Sequence, residues 1–245
     1  MYAPLVFLQK RICRHRGNNA DRRPKISRQI RQIRYAPTKL VSTKSKTKNP
    51  KRKTSPVPPR WRSEVQEILI TDAQLAKRVK SLAREIEKDF RGRETVVVSL
   101  LNGTVLFLAD LIRALDMPLR LDFIGVSSYG SGTESGDLVF TKELRLDVKG
   151  RDVMLVDDIL DTGKTLSRVI PKLKALKPRR IKTVVLLDKP ARRVEKIKAD
   201  YTGFTIPDLF VIGYGLDFAE RYRNLPFVGV LHPHIYKEVL ERAHK

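Results

Sequence analysis

The sequence predicts an α/β fold: an open, mostly parallel sheet with helices on both faces, preceded by a basic N-terminal tail expected to be disordered. Two observations carry that expectation. After Trp61, short and nearly unbroken apolar runs alternate with amphipathic helical patterns, the order expected of strands buried on both faces and joined by crossover helices. Before Trp61 the composition changes in kind. Residues 1–60 hold 18 Lys or Arg against a single acid, Asp21, and show little apolar periodicity. Such a stretch buries too little surface to offset the entropy of ordering it.

A chain of 245 residues, 41% of them hydrophobic, accommodates one sizeable domain with an appendage. We therefore expect a tail over residues 1–60 and one domain over 61–245. The net charge of +23 is concentrated in the tail, which carries +17 and leaves +6 for the other 185 residues. The high isoelectric point thus belongs to the tail and does not mark the domain as a nucleic-acid-binding fold. Cys13 is the only cysteine, which excludes an intrachain disulfide or a multi-cysteine metal site and fits a reducing compartment, the cytoplasm. The apolar run Leu5 to Leu8 is too short for a secretory signal, and no run approaches the roughly eighteen apolar residues of a membrane span.

Three readings of the tail stay open. It could be an arm that touches nucleic acid through phosphate contacts, since Lys44 to Lys53 holds six basic residues, although aromatics for base stacking are absent there. It could be an Arg-rich, acid-poor organelle-targeting segment. Or the start codon is assigned too far upstream, and the protein begins near Trp61.

The elements follow in order. Thr71 with Gln74 three residues on reads as a capping box, and Leu75, Val79, Leu82, Ile86 and Phe90 recur at helical spacing until Gly92. Val96 to Leu101 reads as a buried strand, and Gly103 leads into a second helix carrying Val105, Leu108, Leu111, Ile112 and Leu115. Leu119, Leu121 and Phe123 alternate with Arg120 and Asp122 as a strand does. Ser127 to Gly136, with three glycines and four serines, reads as a mobile loop. A strand at Val153 to Val156, a helix carrying Leu166, Val169, Ile170 and Leu173, and strands at Thr183 to Leu187, Phe210 to Ile212 and Phe227 to Leu231 complete the pattern.

The segment from Val153 to Leu166 is the most informative: an apolar strand runs into Asp157 and Asp158, then Ile159-Leu160-Asp161-Thr162-Gly163-Lys164-Thr165, then a helix. In open α/β sheets ligands sit at the carboxyl ends of the strands, where this turn falls. Backbone N–H groups at the start of the following helix lack intrahelical partners and lie at the positive end of its dipole, so Asp161 to Thr165 can cradle a phosphate, with the Thr162 and Thr165 hydroxyls as further donors. A Walker A loop is excluded, because it needs a glycine five residues before Gly163, where Asp158 stands. Two consecutive carboxylates at the end of a buried strand are unfavourable unless a cation or hydroxyls compensate them.

This segment resembles the signature of the phosphoribosyltransferase family: an apolar strand, two acids and a D-T-G-[KR]-T turn. The resemblance implies a type I phosphoribosyltransferase-like sheet with a small hood region, and substrates that are a purine base and 5-phosphoribosyl-1-pyrophosphate. It implies that Asp157 and Asp158 hold the ribose 2′ and 3′ hydroxyls with Mg²⁺ close by. Ile159 and Leu160 belong to the same substrate-binding segment, and Asp161 to Thr165, Thr162, Gly163 and Lys164 included, bind the 5′-phosphate. Asp161 would lie against purine N7 as the catalytic acid or base.

Three further segments resemble the 6-oxopurine (hypoxanthine/guanine) branch, and the likeness spans about Val65 to Leu231. Leu101-Asn102-Gly103-Thr104 resembles a pyrophosphate loop, often containing a cis peptide, with Asn102 where many members have Lys, so that backbone contact from Asn102 and Gly103 is expected. Ser128-Tyr129 resembles the head of a flexible lid. Asp188-Lys189-Pro190 and Pro207 to Asp217, with Arg223 beyond, resemble the base site: Lys189 donating to O6, Phe210 stacking on the ring, the Val211 backbone pairing with the base edge, Asp217 ligating Mg²⁺ together with Asp157 and Asp158, and Arg223 contacting pyrophosphate. Such enzymes serve purine salvage as dimers or tetramers. The alternative is a regulatory RNA-binding protein on the same fold.

Overall fold

The computed structural model describes residues 56–128 and 138–236. Most of the basic tail, and the glycine-rich stretch from Tyr129 through Gly136, lie outside the described residues. The main sheet has six strands in the order β4-β3-β2-β5-β6-β7. They are β2 (Thr95–Leu101), β3 (Arg120–Ser128), β4 (Leu138–Lys142), β5 (Asp152–Leu160), β6 (Arg180–Asp188) and β7 (Tyr201–Thr205). All neighbouring pairs run parallel except β3 with β4.

Side chains on a strand alternate between faces, and the helices divide accordingly. Val97, Met154, Val156, Val184 and Leu186 face α1 (Asp72–Phe90) and α2 (Val105–Ala114), whose Leu75, Val79, Leu82, Ile86, Phe107 and Leu111 join them in one core. Their sequence neighbours Val96, Val98, Val153, Leu155 and Val185 turn the other way and pack against Leu166, Val169 and Leu173 of α3 (Lys164–Ala175). Helices thus cover both faces, as the unbroken apolar strands require. The α1 capping box forms: Gln74 N–H donates to Thr71 Oγ1 at 3.3 Å and Thr71 N–H donates to Gln74 Oε1 at 2.8 Å, a cap that stabilises a helix by about 1 kcal/mol.

Three expectations need correction. The strands expected at 210–212 and 227–231 do not extend the parallel sheet. As β8 (Val211–Ile212) and β9 (Val228–Leu231) they form a separate antiparallel sheet with β1 (Val65–Ile70), in the order β1-β9-β8. This small sheet has its own core, including Val65, Ile68, Ile212, Phe218 and Phe227, with Val57 and Trp61 packed against it. Ser127 and Ser128, assigned to the loop, are the last residues of β3, where Ser127 pairs with Val139 and Ser128 with Leu138. And β5 does not stop at Val156. Pairing with β6 continues through Asp157 and Leu160, so the strand includes the two acids expected at its end and also Ile159 and Leu160, which were expected in the turn.

Candidate active site

The chain leaves β2 through α2 toward β3 on one side and leaves β5 through α3 toward β6 on the other. The adjacent ends of β2 and β5 therefore diverge, and a crevice opens at this switch in direction. A pocket of about 310 Å³ lies there. Its wall includes Asn102 and Gly103 after β2; Asp157, Asp158, Ile159, Leu160, Asp161, Thr162, Gly163 and Thr165 along the end of β5 and its turn; and Asp217 and Arg223 from the segment between β8 and β9. Lys164, Lys189, Phe210 and Val211 are not part of that wall. Tyr129 and the side chain of Ser128 lie outside the described residues.

The strand end brings the acids together. Asp157 is only 7% exposed, and its carboxylate accepts the N–H of Asp158 at 3.0 Å, while Asp158 accepts the N–H of Ile159 at 3.0 Å. Burial, and then the neighbouring charge of Asp158, push the Asp157 carboxyl well above the usual range. Burial also raises Asp158, against the opposing pull of Asp157, backbone N–H groups and the Arg223 charge. Gly103 is required above them: a Cβ at that position would come within 1.7 Å of Asp158 Oδ2. The Leu101–Asn102 peptide is cis.

The turn after β5 is the segment predicted to cradle a phosphate. Gly163, at φ 85°, is the N-cap of α3 and has no side chain to cap it; the Lys164 N–H donates to Thr162 Oγ1 at 3.4 Å, and the following N–H groups of the first turn are left for an anion. The same turn is gripped from behind. Thr162 O accepts the N–H groups of Val194 and Glu195, each at 3.0 Å. Arg193 donates to Asp161 O at 3.0 Å, Leu160 O at 3.1 Å and Ile197 O at 2.8 Å, and pairs with the Asp188 carboxylate. Arg192 Nε lies 3.3 Å from Asp161 Oδ1. Sequence reasoning missed both arginines. The only signal was two cations directly after Lys189-Pro190-Ala191, which reads equally as a solvated surface.

Lys189 is buried, 5% exposed, and its own N–H donates to Leu160 O at 3.0 Å. Burial lowers the ammonium's pKa, while the charges of Asp161 and Asp208 act against that. Phe210 packs edge-on to Phe218 and stacks with Tyr236 at 5.2 Å between ring centroids. A planar ligand would have to meet the face that Tyr236 leaves open. Asp217 pairs with Arg223 at 3.0 Å and accepts the N–H of Glu220 at 2.9 Å. Tyr214 donates to Asp110 Oδ2 on α2 at 2.6 Å, which ties this segment to the main domain beside the Gly103 loop. Among the described residues no three His, Cys, Asp or Glu side chains converge closely enough to hold a metal ion by themselves.

Residues 65–219 match the family model described as phosphoribosyl transferase domain. A hypoxanthine-guanine phosphoribosyltransferase of Bacillus subtilis (strain 168) is 44% identical over 175 residues, which cover 71% of this chain and 97% of that protein. The bifunctional protein TilS/HprT of Listeria monocytogenes serotype 4b is 46% identical over 177 residues, 72% of this chain, but this chain spans only 27% of that longer relative. Among solved structures, a hypoxanthine phosphoribosyltransferase from Staphylococcus aureus superposes with a TM-score of 0.69 at 42% identity, covering 72% of this chain and 97% of that one.

Proposed function

The chain belongs to the phosphoribosyl transferase family, and from that premise we propose that it is a purine salvage enzyme that converts hypoxanthine or guanine and 5-phosphoribosyl-1-pyrophosphate into IMP or GMP and pyrophosphate. One observation carries the reading: the acids of β5, the anion-ready turn 161–165 and Asp161 share one pocket wall, with the buried Lys189 ammonium within charge range of Asp161.

The roles divide by chemistry. Asp157 and Asp158 accept hydrogen bonds from the ribose 2′ and 3′ hydroxyls, which relieves two adjacent buried carboxylates. The turn from Asp161 to Thr165 binds the 5′-phosphate through N–H and hydroxyl donors. Backbone groups of Asn102 and Gly103, with Arg223, bind pyrophosphate. Lys189 donates to purine O6, Phe210 offers a ring face, the Val211 backbone meets the base edge, and Ser128 and Tyr129 belong to the segment that covers the reacting centre. N9 of the base forms its bond to C1 of ribose as the C1–oxygen bond breaks and pyrophosphate departs with the electron pair. The proton on purine N7 passes to Asp161. Because positive charge develops on the sugar, the protein acts mainly by positioning and electrostatics.

The hard oxygen donors of Asp157, Asp158 and Asp217 suit Mg²⁺, which is commonly held by one or two carboxylates and completed by substrate oxygens. Held there, the ion would supply positive charge to offset that of pyrophosphate. We further propose a catalytic domain over 61–245, a homodimer or homotetramer, and a cytoplasmic location. Among the described residues no helix is long and apolar enough to cross a membrane. Steady-state kinetics with a panel of purines, phosphoribosyl pyrophosphate and Mg²⁺ test the reading. Turnover is expected with hypoxanthine and guanine, and absence of pyrophosphate release with every purine would refute it.

A further inference from the structure

Lys189 and Arg192 belong to one tight turn. The 3-10 segment Pro190–Arg192 follows Lys189, and Arg192 N–H donates to Lys189 O at 3.2 Å. Pro190 fixes one backbone angle at the start of that turn. The Arg192 guanidinium lodges between two carboxylates, with Nε 3.3 Å from Asp161 Oδ1 and 3.9 Å from Asp208 Oδ1. Asp208 begins the segment that leads through Leu209 to Phe210 and Val211. One side chain therefore joins the acid of the β5 turn to the strand that carries the base-site residues.

The state of Asp161 gives that bridge its meaning. Oδ1 is buried and accepts no hydrogen bond among the described residues. The guanidinium is near enough to pair its charge, yet no N–H is aimed at the oxygen, so its accepting capacity stays open. A partly buried carboxylate without a counter-charge draws in a donor. The Lys189 ammonium, which feels the charges of Asp161 and Asp208, is such a donor. Arg193 cannot substitute, because its guanidinium is committed to three carbonyls and to Asp188. A purine with O6 and a protonated N7 needs the opposite of such a collapse: a free ammonium opposite O6 and a free carboxylate oxygen opposite N7.

We propose that Arg192 is a positioning residue of the purine site, which holds the Asp161 carboxylate for N7 and keeps it from pairing with Lys189. The inference rests on the transferase reading above. Arg192 acts through Asp161 and Asp208, so its loss affects purine use and spares phosphoribosyl pyrophosphate.

The test compares wild type, Arg192→Gln and Arg192→Lys in steady-state kinetics, with phosphoribosyl pyrophosphate binding measured separately by calorimetry. Arg192→Gln is expected to lose about 10- to 100-fold in kcat/KM for hypoxanthine, the size of one lost charged contact. KM and direct binding for phosphoribosyl pyrophosphate stay within about twofold, and Arg192→Lys recovers part of the loss by restoring charge without the planar fork. Wild-type kinetics in Arg192→Gln would overturn the proposal. So would an equal loss in purine use and phosphoribosyl pyrophosphate binding, the mark of a merely structural residue. A wild type that turns over no purine would sink the transferase reading, and this inference with it.

Discussion

At the scale of single residues the proposed chemistry turns on Asp161, whose buried oxygen is charge-paired but not hydrogen-bonded among the described residues. Asp161→Asn is expected to lower kcat by about 10²- to 10⁴-fold, the range of a lost general acid or base, while leaving phosphoribosyl pyrophosphate binding nearly intact. Single-turnover rates check this, and an unchanged kcat would remove Asp161 from the mechanism. This part of the site was legible in the sequence because its residues are contiguous: a strand, two acids and a glycine turn occupy one stretch, and local order alone brings them to one wall. Arg192 and Arg193 were not legible. Their partners in the β5 turn lie some thirty residues earlier in the chain, and only the pairing of β5 with β6 and the turn after it bring them together. Lys189 was readable only through resemblance, since a lysine at a strand end looks solvated until the fold buries it.

At the scale of elements, the helices and the central strands were legible because each carries its own period. Strand β1 escaped because Ile68, Leu69 and Ile70 break the alternation after Gln66 and Glu67, and β7 because Gly203 interrupts a strand of only five residues. Strands β8 and β9 were visible as strands, but the identity of their neighbour was not, since β9 pairs with β1 from the far end of the domain. The opposite end of the sheet from the pocket offers a test of what holds β5 in place. Asp152, buried at the start of β5, accepts Arg179 Nε at 2.6 Å and Arg180 Nε at 2.8 Å. Burial alone would raise its pKa, but those hydrogen bonds and charges prevail and hold it below the usual value. A lowered folded pKa means stability that is present above the unfolded value of about 3.9 and lost as pH falls through the folded one. Asp152→Asn should therefore destabilise the protein by about 2 kcal/mol at neutral pH, less than a fully buried pair because the arginines are partly exposed. The gap in Tm between variant and wild type should narrow below about pH 4. A gap that stays constant down to pH 2.5 would show that packing, not charge, is responsible.

At the scale of the whole molecule the question is where the folded unit begins. The small antiparallel sheet gathers Val57 and Trp61 into its core, and Arg62 Nε donates to Val57 O at 3.2 Å. A chain starting at Trp61 is expected to fold and to turn over like the full protein, with the loss of the Val57 contact costing about 1 kcal/mol, and a chain starting at Pro56 should recover that. Both should lose any salt-sensitive retention on nucleic acid. Thermal melts, kcat and salt-dependent retention of the three lengths decide it, and an insoluble or inactive shortened chain would make the tail part of the fold.

The central claim is that the enzyme takes 6-oxopurines and that Lys189, beyond the pocket wall, selects them. An ammonium has three donors and no acceptor, so it satisfies the O6 of hypoxanthine but meets the amino group of adenine donor to donor. A buried polar contact of this kind discriminates strongly, because the wrong base leaves it unpaired. The decisive measurement is the ratio of kcat/KM for hypoxanthine to that for adenine, in wild type and in Lys189→Met. The account predicts a wild type that strongly favours hypoxanthine, and a variant in which hypoxanthine use falls by about 10- to 100-fold, the size of one charged hydrogen bond, while adenine gains relative to it. A wild type that uses adenine as well as hypoxanthine, or a variant with an unchanged ratio, would contradict it.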